Sequence, residues 1–565
     1  MKKNPKLVRR FEKWEIKAKL KTQNAKLKSE EIVEILLENR GINSSKQKEE
    51  FMNPNPPEKL KLKDLGIDEK MMGKGIERII NAIEKKEKII IFGDYDVDGI
   101  TSTAILWEFL YSYGADITPY IPERFSEGYG MKVDSILKLK ELYPKLSLII
   151  TVDNGIIAFD AVNRARDLGI DTVIVDHHEK GDVYPNAYSV IYTTKLCGAG
   201  IAWFVVREIS RKLQNPGSKL QINNLLELVA LGTVADQMPL TDVNRSLTKY
   251  GLEKLNTTER IGLNALYNVA GVKKGNIGNY EINFCLSPRL NAMGRLEHAI
   301  ESLRLVCTKN MRKAMELAEL LNKTNLRRQR IVDEVLEKTK NALAKDHFEN
   351  IIILDGDSYH EGVIGLAASK LVEEFGRPAI VISKGKVISK GSARSIPGFN
   401  INEAIKYASE FVMSGGGHEM AAGFSLKTKN LVPFKKKIKK YAFKKMKKDI
   451  FVKKIKIDLP LNFTDLSINL IKSIKKMEPF GIGNPTPTFI TDNCKIIDVR
   501  KVGENGNHLK FKLGSTGITL DAIAFNNINL PNSFIQGGKL DIVYNLEENY
   551  WNGSVSMQLR LRDLK

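Results

Sequence analysis

The amino-acid sequence predicts an α/β protein, in which a domain with a parallel sheet precedes a long connecting helix, a second α/β domain and a C-terminal β-barrel. Short apolar runs rich in β-branched residues occur at 89–92, 148–152 and 172–175, and helix-like segments separate them. Such strands are typical of a parallel sheet covered on both faces. The same pattern returns over 351–382, whereas apolar and polar residues alternate beyond about residue 455, as in a small barrel.

These changes of pattern divide the chain into five segments. They are a mixed helical lead-in at 1–60, the parallel-sheet domain at 61–300, the connecting helix region at 301–345, the second α/β domain at 346–450 and the barrel at 451–565. The connecting helix is predicted because Arg312 to Lys345 contains neither Gly nor Pro and has apolar residues at helical spacing.

Composition excludes several classes of protein. The chain has 565 residues, 42% of them apolar and 27% charged, which is an ordinary globular mixture. The sequence contains no apolar stretch long enough for a transmembrane helix and no apolar leader. The four cysteines are scattered without a CxxC pair, which argues against a disulfide framework and a zinc ribbon. We therefore expect a protein of the reducing cytoplasm, without membrane contact.

The charge is strongly positive, with 88 Lys and Arg against 67 Asp and Glu and a net charge of +21. Such an excess favours polyanionic partners, although a Lys-rich surface from an AT-biased genome would give the same number. Residues 435–456 hold twelve Lys interleaved with Ile438, Tyr441, Phe443 and Phe451. This run is typical of a basic helix face beside an ordered domain.

The strongest local signal is a cluster of carboxylates directly after the first predicted strand, at Asp94, Asp96 and Asp98. Carboxylates this close repel one another and call for a cation. An EF-hand begins with the same pattern, but its twelfth position, normally Glu, is Ile105, and a strand precedes the loop. A haloacid-dehalogenase phosphatase also places Asp-x-Asp after a strand, but Gly99 and the later motifs fit it poorly.

Two further strands end in polar residues, at Asp153-Asn154-Gly155 and at Asp176-His177-His178. The carboxyl ends of parallel strands line one crevice, so these groups should converge. A single Asp after a strand is usually a helix N-cap, but three such strands favour a functional site. Asp236, after an apolar helix, is a fourth candidate.

Oxygen-rich ligation with one or two imidazoles suits Mn²⁺ or Mg²⁺ better than zinc or copper. Two such ions can activate a water molecule and stabilise the leaving oxygen in phosphoryl hydrolysis. The sequence contains no Walker loop or nicotinamide fingerprint, and no Ser-His-Asp or Cys-His order stands out.

Three further segments have residues suited to phosphate contact. Consecutive glycines let backbone N–H groups approach a phosphate, and a following helix N-terminus would add a favourable dipole. Arginine forms bidentate contacts with phosphate. The candidates are Gly415, Gly416, Gly417 and His418 in a predicted loop, Arg289, Asn291 and Arg295 in another predicted loop, and Arg394. A tight turn and surface salt bridges are the alternative interpretations.

These motifs resemble those of the DHH phosphoesterase superfamily. Asp94-Tyr95-Asp96-Val97-Asp98-Gly99, Asp153-Asn154-Gly155, Asp176-His177-His178 and the Asp236 segment follow in the same order as its four motifs. Ser287 to Arg295, Glu361 to Gly365 and Gly415 to His418 narrow the resemblance to the RecJ single-stranded-DNA exonucleases. The resemblance covers roughly residues 50–565 and implies a DHH domain, a DHH-associated domain that grips the substrate and an OB-fold.

The resemblance implies a role for each residue of the cluster. Asp96 would hold one metal ion; Asp98, His177 and Asp236 would hold the other; Asp153 would bridge them; and Asp94 would lie at the edge of the cluster. The remaining two residues would act beside the metal ions. Asp176 would support the histidines, and His178 would face the scissile phosphate.

The expected activity is therefore a metal-dependent 5′-to-3′ exonuclease on single-stranded DNA in repair and recombination. One alternative is a DHH phosphodiesterase acting on short oligonucleotides or cyclic dinucleotides, and another is a catalytically inactive replication scaffold. The expected partners are single-stranded DNA and a helicase or single-strand-binding protein, and the expected state is a monomer.

The barrel should supply grip rather than chemistry, because the predicted metal cluster lies upstream of it. Half of its aromatic residues should form its core, and the others should stack on bases. They include Phe511, Phe525, Tyr544, Tyr550 and Trp551.

Overall fold

The structure is a computed structural model, and it describes residues 13–18, 26–213, 221–343, 350–503, 506–525, 536–551 and 553–565. These residues form two compact units. The parallel-sheet unit comprises Ser44–Arg328 and Met477–Pro485, and the barrel unit comprises the other described residues. Within the described ranges, every helix is too short or too polar to cross a lipid bilayer.

The N-terminal segment contributes to both units. Strand β1 (Lys13–Ile16) and helix α1 (Ser29–Glu38) belong to the barrel unit, and helix α2 (Ser45–Met52) to the parallel-sheet unit. The predicted helical lead-in is wrong for β1, which pairs in parallel with residues 454–457. Its partner is more than four hundred residues away, so no local pattern marks it.

The parallel sheet follows the predicted strands. Helices α3 (Leu62–Leu65) and α4 (Glu69–Glu84) precede β2 (Lys88–Phe92), α5 (Val97–Ser112), β3 (Ile117–Tyr120), α6 (Val133–Leu142), β4 (Leu146–Val152), α7 (Phe159–Asp167), β5 (Asp171–Asp176) and β6 (Ser189–Tyr192). The five strands lie in the order β3-β2-β4-β5-β6 and are all parallel. Their carboxyl ends therefore share one edge.

A helical layer completes this unit. Its members are α8 (Gly198–Leu213), α9 (Leu226–Ala235), α10 (Asp242–Thr257), α11 (Ile261–Ala270), α12 (Ser287–Leu296) and α13 (Ile300–Cys307). A π-helix at Glu281–Leu286 runs directly into α12. The predicted loop at 286–295 is therefore wrong, because this segment forms α12, whose second residue is Pro288.

The long helix α14 (Met311–Leu343) confirms the predicted connecting helix. Its predicted end at Lys345 lies outside the described residues. The second α/β domain then consists of β7 (Ile352–Gly356), α15 (Ile364–Phe375), β8 (Ala379–Ser383), β9 (Ile388–Arg394), α16 (Ile401–Tyr407), β10 (Val412–Gly417), β11 (Ala421–Lys427) and α17 (Leu431–Lys445). Its sheet has the order β10-β11-β9-β8-β7, and only the β7–β8 pair is parallel.

The last part of the chain is a closed five-stranded barrel. Strands β12 (Lys454–Ile457) and β13 (Leu459–Pro460) and helix α18 (Ile468–Lys475) precede β14 (Phe489–Val502), β15 (His508–Ser515), β16 (Ile518–Ala524), β17 (Lys539–Trp551) and β18 (Ser554–Leu564). The barrel order is β14-β15-β16-β18-β17, and pairing of β14 with β17 closes it, as in an OB-fold.

The aromatic residues of the barrel divide between its core and its surface. Phe511 and Tyr544 are buried, whereas Phe525 is 42% exposed. The Phe525 ring lies edge-on to the ring of His508 at 5.0 Å and beside the Arg560 guanidinium at 5.3 Å. The side chains of Tyr550 and Trp551 lie outside the described residues.

The segment Met477–Pro485 lies between α18 and β14 in sequence but packs in the parallel-sheet unit. The buried Arg245 guanidinium donates to the carbonyl oxygens of Met477 and Glu478, both at 2.9 Å. Ile482 O accepts a bond of 2.7 Å from Leu240 N. A truncation before this segment would leave Arg245 without two acceptors.

Candidate active site

The loop between β2 and α5 carries the first carboxylates and is held from two sides. Asp96 is the N-cap of α5, and its carboxylate accepts a bond of 3.1 Å from Gly99 N. Asn291 Oδ1, on α12, accepts a bond of 3.0 Å from Val97 N. Asn291, predicted to contact substrate, thus fixes the carboxylate loop.

Asp98 lies one residue into α5 and is almost fully buried. Its carboxylate accepts bonds from Gly198 N at 2.6 Å and Ala199 N at 2.9 Å, at the start of α8. A helix N-terminus stabilises a negative charge there. The α9 residue Gly232 lies so close that an added Cβ would come within 2.5 Å of Asp98 Oδ1. The sequence reasoning missed Gly198 and Gly232, since their closeness depends on three helices.

Asp153 follows β4 with a left-handed backbone, φ 61°, which is unusual for any residue except glycine. Its side chain is buried, and its Oδ1 lies 3.0 Å from His177 Nε2. Strained backbone that is held in place by its surroundings is typical of functional sites. The carboxylate is thereby directed to the middle of the cluster.

The predicted ligand residues converge at the carboxyl edge of the sheet. Their ligand atoms form three groups, within each of which all atoms lie within 4.8 Å of one another. The groups are Asp94, Asp96 and Asp153; Asp98, His177 and Asp236; and Asp153, His177 and His178. Asp153 and His177 therefore each belong to two of the three groups.

The cluster fits a pair of divalent cations. Asp94 Oδ1 is buried and has no hydrogen-bond partner among the described residues, so an acceptor remains for a cation. Burial, followed by repulsion from neighbouring carboxylates, raises the pKa of Asp94, Asp96 and Asp153. The same causes raise the pKa of Asp236 to about 8. The set of oxygen and imidazole donors suits Mn²⁺ or Mg²⁺.

His178 is held between two partners. Its Nδ1 lies 2.8 Å from Asp176 Oδ1, and its Nε2 lies 3.1 Å from Tyr129 Oη. Burial disfavours the charged ring, but Asp176 outweighs that effect and raises the pKa of His178 to about 9. Burial likewise opposes the charge of Asp176, but bonds from His178 and the Ile156 amide hold its pKa below the usual value. In contrast, burial lowers the pKa of His177.

The sequence reasoning also missed the loop after β3, which carries Tyr129 and Arg124. The Arg124 guanidinium lies 5.0 Å from the centre of the Tyr95 ring, and the Tyr95 and Tyr129 rings meet edge-on at 6.2 Å. Glu127 braces the loop by accepting a bond of 2.6 Å from Tyr120 Oη. The sequence carries a signal for this loop, because β3 ends at the same edge of the parallel sheet as β2, β4 and β5.

The predicted phosphate contacts of the parallel-sheet unit lie on α12. Arg289 donates to Asn322 Oδ1 at 3.0 Å and to Cys285 O at 2.6 Å, so its described bonds are internal. Arg295 is half-buried at the end of α12. Gly294 lets α12 pack on the carboxylate loop, since an added Cβ would lie 2.6 Å from Tyr95 O.

The predicted phosphate contacts of the barrel unit lie on the sheet of its second α/β domain. Arg394, at the end of β9, is opposite Ala421 of β11, and Gly417 of β10 is opposite Ala422. The predicted loop at Gly415–Gly417 is wrong, because these residues form an outer β-strand and are exposed. No helix begins after them within the described residues around 418–427, and His418 is likewise exposed.

Three segments of the chain match known domain families. Residues 88–233 match the DHH family, N-terminal domain; residues 348–444 match the DHHA1 domain; and residues 457–563 match the RecJ OB domain. The three domains follow in the order that the resemblance implied.

The chain is also similar to complete proteins. Single-stranded-DNA-specific exonuclease RecJ of Bacillus subtilis (strain 168) is 33% identical over 567 residues, which covers 98% of this chain and 70% of that protein. The protein of the same name from Haemophilus influenzae is 32% identical, over 86% of this chain and 89% of that protein. The structure is similar to RecJ from Thermus thermophilus in complex with Mn²⁺, with a TM-score of 0.81, 27% identity and coverage of 98% and 79%. The complex of RecJ from that organism with Mg²⁺ gives a TM-score of 0.75.

Proposed function

Because the chain belongs to the family of RecJ single-stranded-DNA-specific exonucleases, it is an exonuclease of single-stranded DNA, and we propose that it cleaves from the 5′ end by hydrolysis with two cations. We further propose that the cluster around Asp153 is the site of that hydrolysis. A role in DNA repair and recombination is expected from the family.

One observation carries the assignment of the site. Two groups of potential ligands, one with Asp94 and Asp96 and the other with His177 and His178, share the buried carboxylate of Asp153. A third group, Asp98, His177 and Asp236, shares His177 with one of them. Such overlap is what two neighbouring ions require. When bound, the ions would activate water and stabilise the leaving oxygen of the phosphodiester.

The protein groups have separate tasks in this proposal. Asp98, held by two backbone amides at the start of α8, and Asp236 would hold one ion with His177. Asp94, Asp96 and Asp153 would hold the other. Asp176 and Tyr129 contact the two ring nitrogens of His178 and would orient it towards a non-bridging oxygen of the scissile phosphate.

The grip on the strand is proposed to come from the sheet of the second α/β domain. The outer strand β10 presents Gly415, Gly416 and Gly417 with little side chain to obstruct a nucleic-acid backbone. Arg394 lies across β11 from this strand and would add charge. The closed barrel favours long strands over the alternative substrates, short oligonucleotides and cyclic dinucleotides.

Digestion of matched strands tests this proposal. Single strands labelled at the 5′ or the 3′ end are incubated with Mn²⁺, with Mg²⁺ or with chelator, beside a duplex of the same sequence. We expect rapid release of the 5′ label as a short product, an intact duplex and no cleavage in chelator. Early release of the 3′ label would refute the polarity, and full activity in chelator would refute the two-cation site.

Three further properties stay predictions. We expect a helicase or a single-strand-binding protein as partner, a monomeric oligomeric state and a location in the cytoplasm.

A further inference from the structure

The outer face of helix α17 is a basic surface that neither the metal cluster nor the glycine strand uses. We propose that this face is a second contact for single-stranded DNA, in which lysines neutralise phosphates and Phe443 stacks on a base. The proposal rests on the proposed function, since it gives the exonuclease a further hold on its substrate. The outer face comprises Val432, Lys436, Lys439, Lys440, Phe443 and Lys444.

The orientation of α17 is fixed by its inner side. Leu431, Phe434, Ile438 and Ala442 are buried in the core of the second α/β domain. The ring of Phe434 packs against Phe424 of β11, with centroids 4.8 Å apart. The opposite side of the helix therefore points to solvent by construction, and its lysines cannot be turned inwards without opening this core.

Six of the seven lysines divide into two sets, and the seventh, Lys445, lies 6.0 Å from the centre of the Tyr441 ring. On the flank of the helix, Lys435 pairs with Asp355 and Lys437 pairs with Glu410. On the outer face, no carboxylate of the described residues lies within ion-pair distance of Lys436, Lys439, Lys440 or Lys444, all of which are exposed. The helix contains seven Lys and no Asp or Glu. Its acidic neighbours therefore neutralise the flank and leave the outer face positive.

Spacing makes this face suitable for a polyanion. Lys436, Lys440 and Lys444 follow at intervals of four residues, which places successive charges about 6 Å apart along the helix. A surface that only needed solubility would mix both signs of charge. The lysines of such a row repel one another, and the phosphates of a bound strand would relieve that repulsion.

Phe443 distinguishes single-stranded DNA from other polyanions. Its ring is 71% exposed in the middle of the lysines, and Val432 on the preceding turns is 77% exposed. An aromatic ring among lysines is the combination used to bind unpaired bases, because every base has a stackable face. In a duplex the bases are already stacked, so the ring would gain nothing. An exposed aromatic ring among lysines therefore favours single-stranded DNA over duplex DNA.

Two variants test the inference against a matched control. The first replaces Lys436, Lys440 and Lys444 with Gln. The control replaces Lys59, Lys61 and Lys63 with Gln, which removes the same charge from exposed positions of the parallel-sheet unit. The second variant is Phe443→Leu, with Phe443→Tyr as the conservative substitution that keeps a stackable ring.

Binding to a long single strand is measured in chelator over a range of salt concentrations, and cleavage of a trinucleotide is measured with Mn²⁺. We expect the first variant to bind at least about tenfold more weakly at low salt and its log–log salt slope to fall by about 2, since three phosphate contacts are lost. The control should change little. Phe443→Leu should weaken binding about fivefold or more, and Phe443→Tyr should restore it.

The outcomes separate this inference from the function on which it rests. If the unmodified protein cleaves neither strand nor trinucleotide, the proposed function fails. If it cleaves both but the lysine variant matches the control in affinity and salt slope, only the second contact is refuted. Binding of the lysine variant to poly-glutamate is measured as well. If this variant binds DNA normally but no longer binds poly-glutamate, the face binds an acidic protein partner, and the inference is overturned.

Discussion

The carboxyl edge of the parallel sheet and the outer strand β10 both carry residues that the sequence singled out, but the two regions are built in opposite ways. Asp94, Asp98 and Asp153 are each at most 3% exposed, and backbone amides or a neighbouring helix fix the loops that carry them. In contrast, residues 413–417 of β10 are all exposed. Chemistry at a phosphate needs groups that are held in place before the reaction, whereas grip on a moving strand needs open surface.

The largest effect is expected from Asp153→Asn in the carboxylate cluster at the sheet edge. We expect cleavage to fall at least about a thousandfold, because residues that act as one unit fail together. Binding of single-stranded DNA in chelator should persist, since the proposed grip lies elsewhere. The control is Asp160→Asn on α7, an exposed carboxylate seven residues away. Near-normal turnover in the Asp153 variant would remove that residue from the site.

Gly232→Ala tests whether close packing holds the cluster. The added Cβ would meet Asp98 Oδ1 at 2.5 Å and the Ala199 side chain at 2.7 Å, so Asp98 must shift. We expect about a 10–100-fold loss in activity, with partial recovery at high Mn²⁺, because support of a ligand carries that order of effect. Gly73→Ala on α4, where no atom lies within 4 Å of the new Cβ, should be neutral. Equal effects of both substitutions would show that Asp98 is not sensitive to its packing.

Phe525→Ala tests the grip of the barrel by a point change. The partly exposed ring lies beside His508 and Arg560, so we expect affinity for a long strand to fall about fivefold or more while trinucleotide cleavage is retained. Val555→Ala, at another exposed apolar position of the barrel, is the control. A point change is preferable to truncation near residue 455, because truncation would also remove the acceptors of Arg245. Unchanged affinity would indicate that this surface binds something other than DNA.

The smallest expected effect is on stability as a function of pH. Burial and repulsion raise the pKa of Asp94, Asp96 and Asp153, and that of Asp236 to about 8. At these four carboxyl groups the folded, metal-free protein therefore holds more protons than the unfolded chain. The stability that these four groups contribute is then greatest at low pH and is lost as the pH rises from the ordinary aspartate value of 3.8 towards 8.

Melting temperatures measured in chelator should consequently fall by roughly a few degrees over that range, and Mn²⁺ should restore more stability at the higher pH. The Asp153→Asn variant should show a flatter dependence, because one source of repulsion is gone. A melting temperature that rises with pH in chelator would contradict the raised pKa values.

Local pattern was sufficient for the chemistry of the site. The apolar strands end at Asp94 to Asp98, at Asp153 and at Asp176 to His178, and parallel pairing alone brings those ends to one edge. The long helix α14 was also predictable, because its apolar spacing runs without interruption. In both cases the spacing of apolar residues along the sequence matches the repeat of the strand or helix, so the sequence alone predicts the element.

Only the tertiary structure decided which residues support that site. Gly415–Gly417 form a strand because β11 supplies hydrogen-bond partners, and Asn291 holds the carboxylate loop because α12 packs on it. The closeness of Gly232 to Asp98 and the contact of Tyr129 with His178 are visible only in the folded structure. The sequence by itself predicted the candidate ligands that follow β2, β4 and β5, since strand ends are local features. Contacts between remote segments determined their support, because no local period encodes which surfaces will meet.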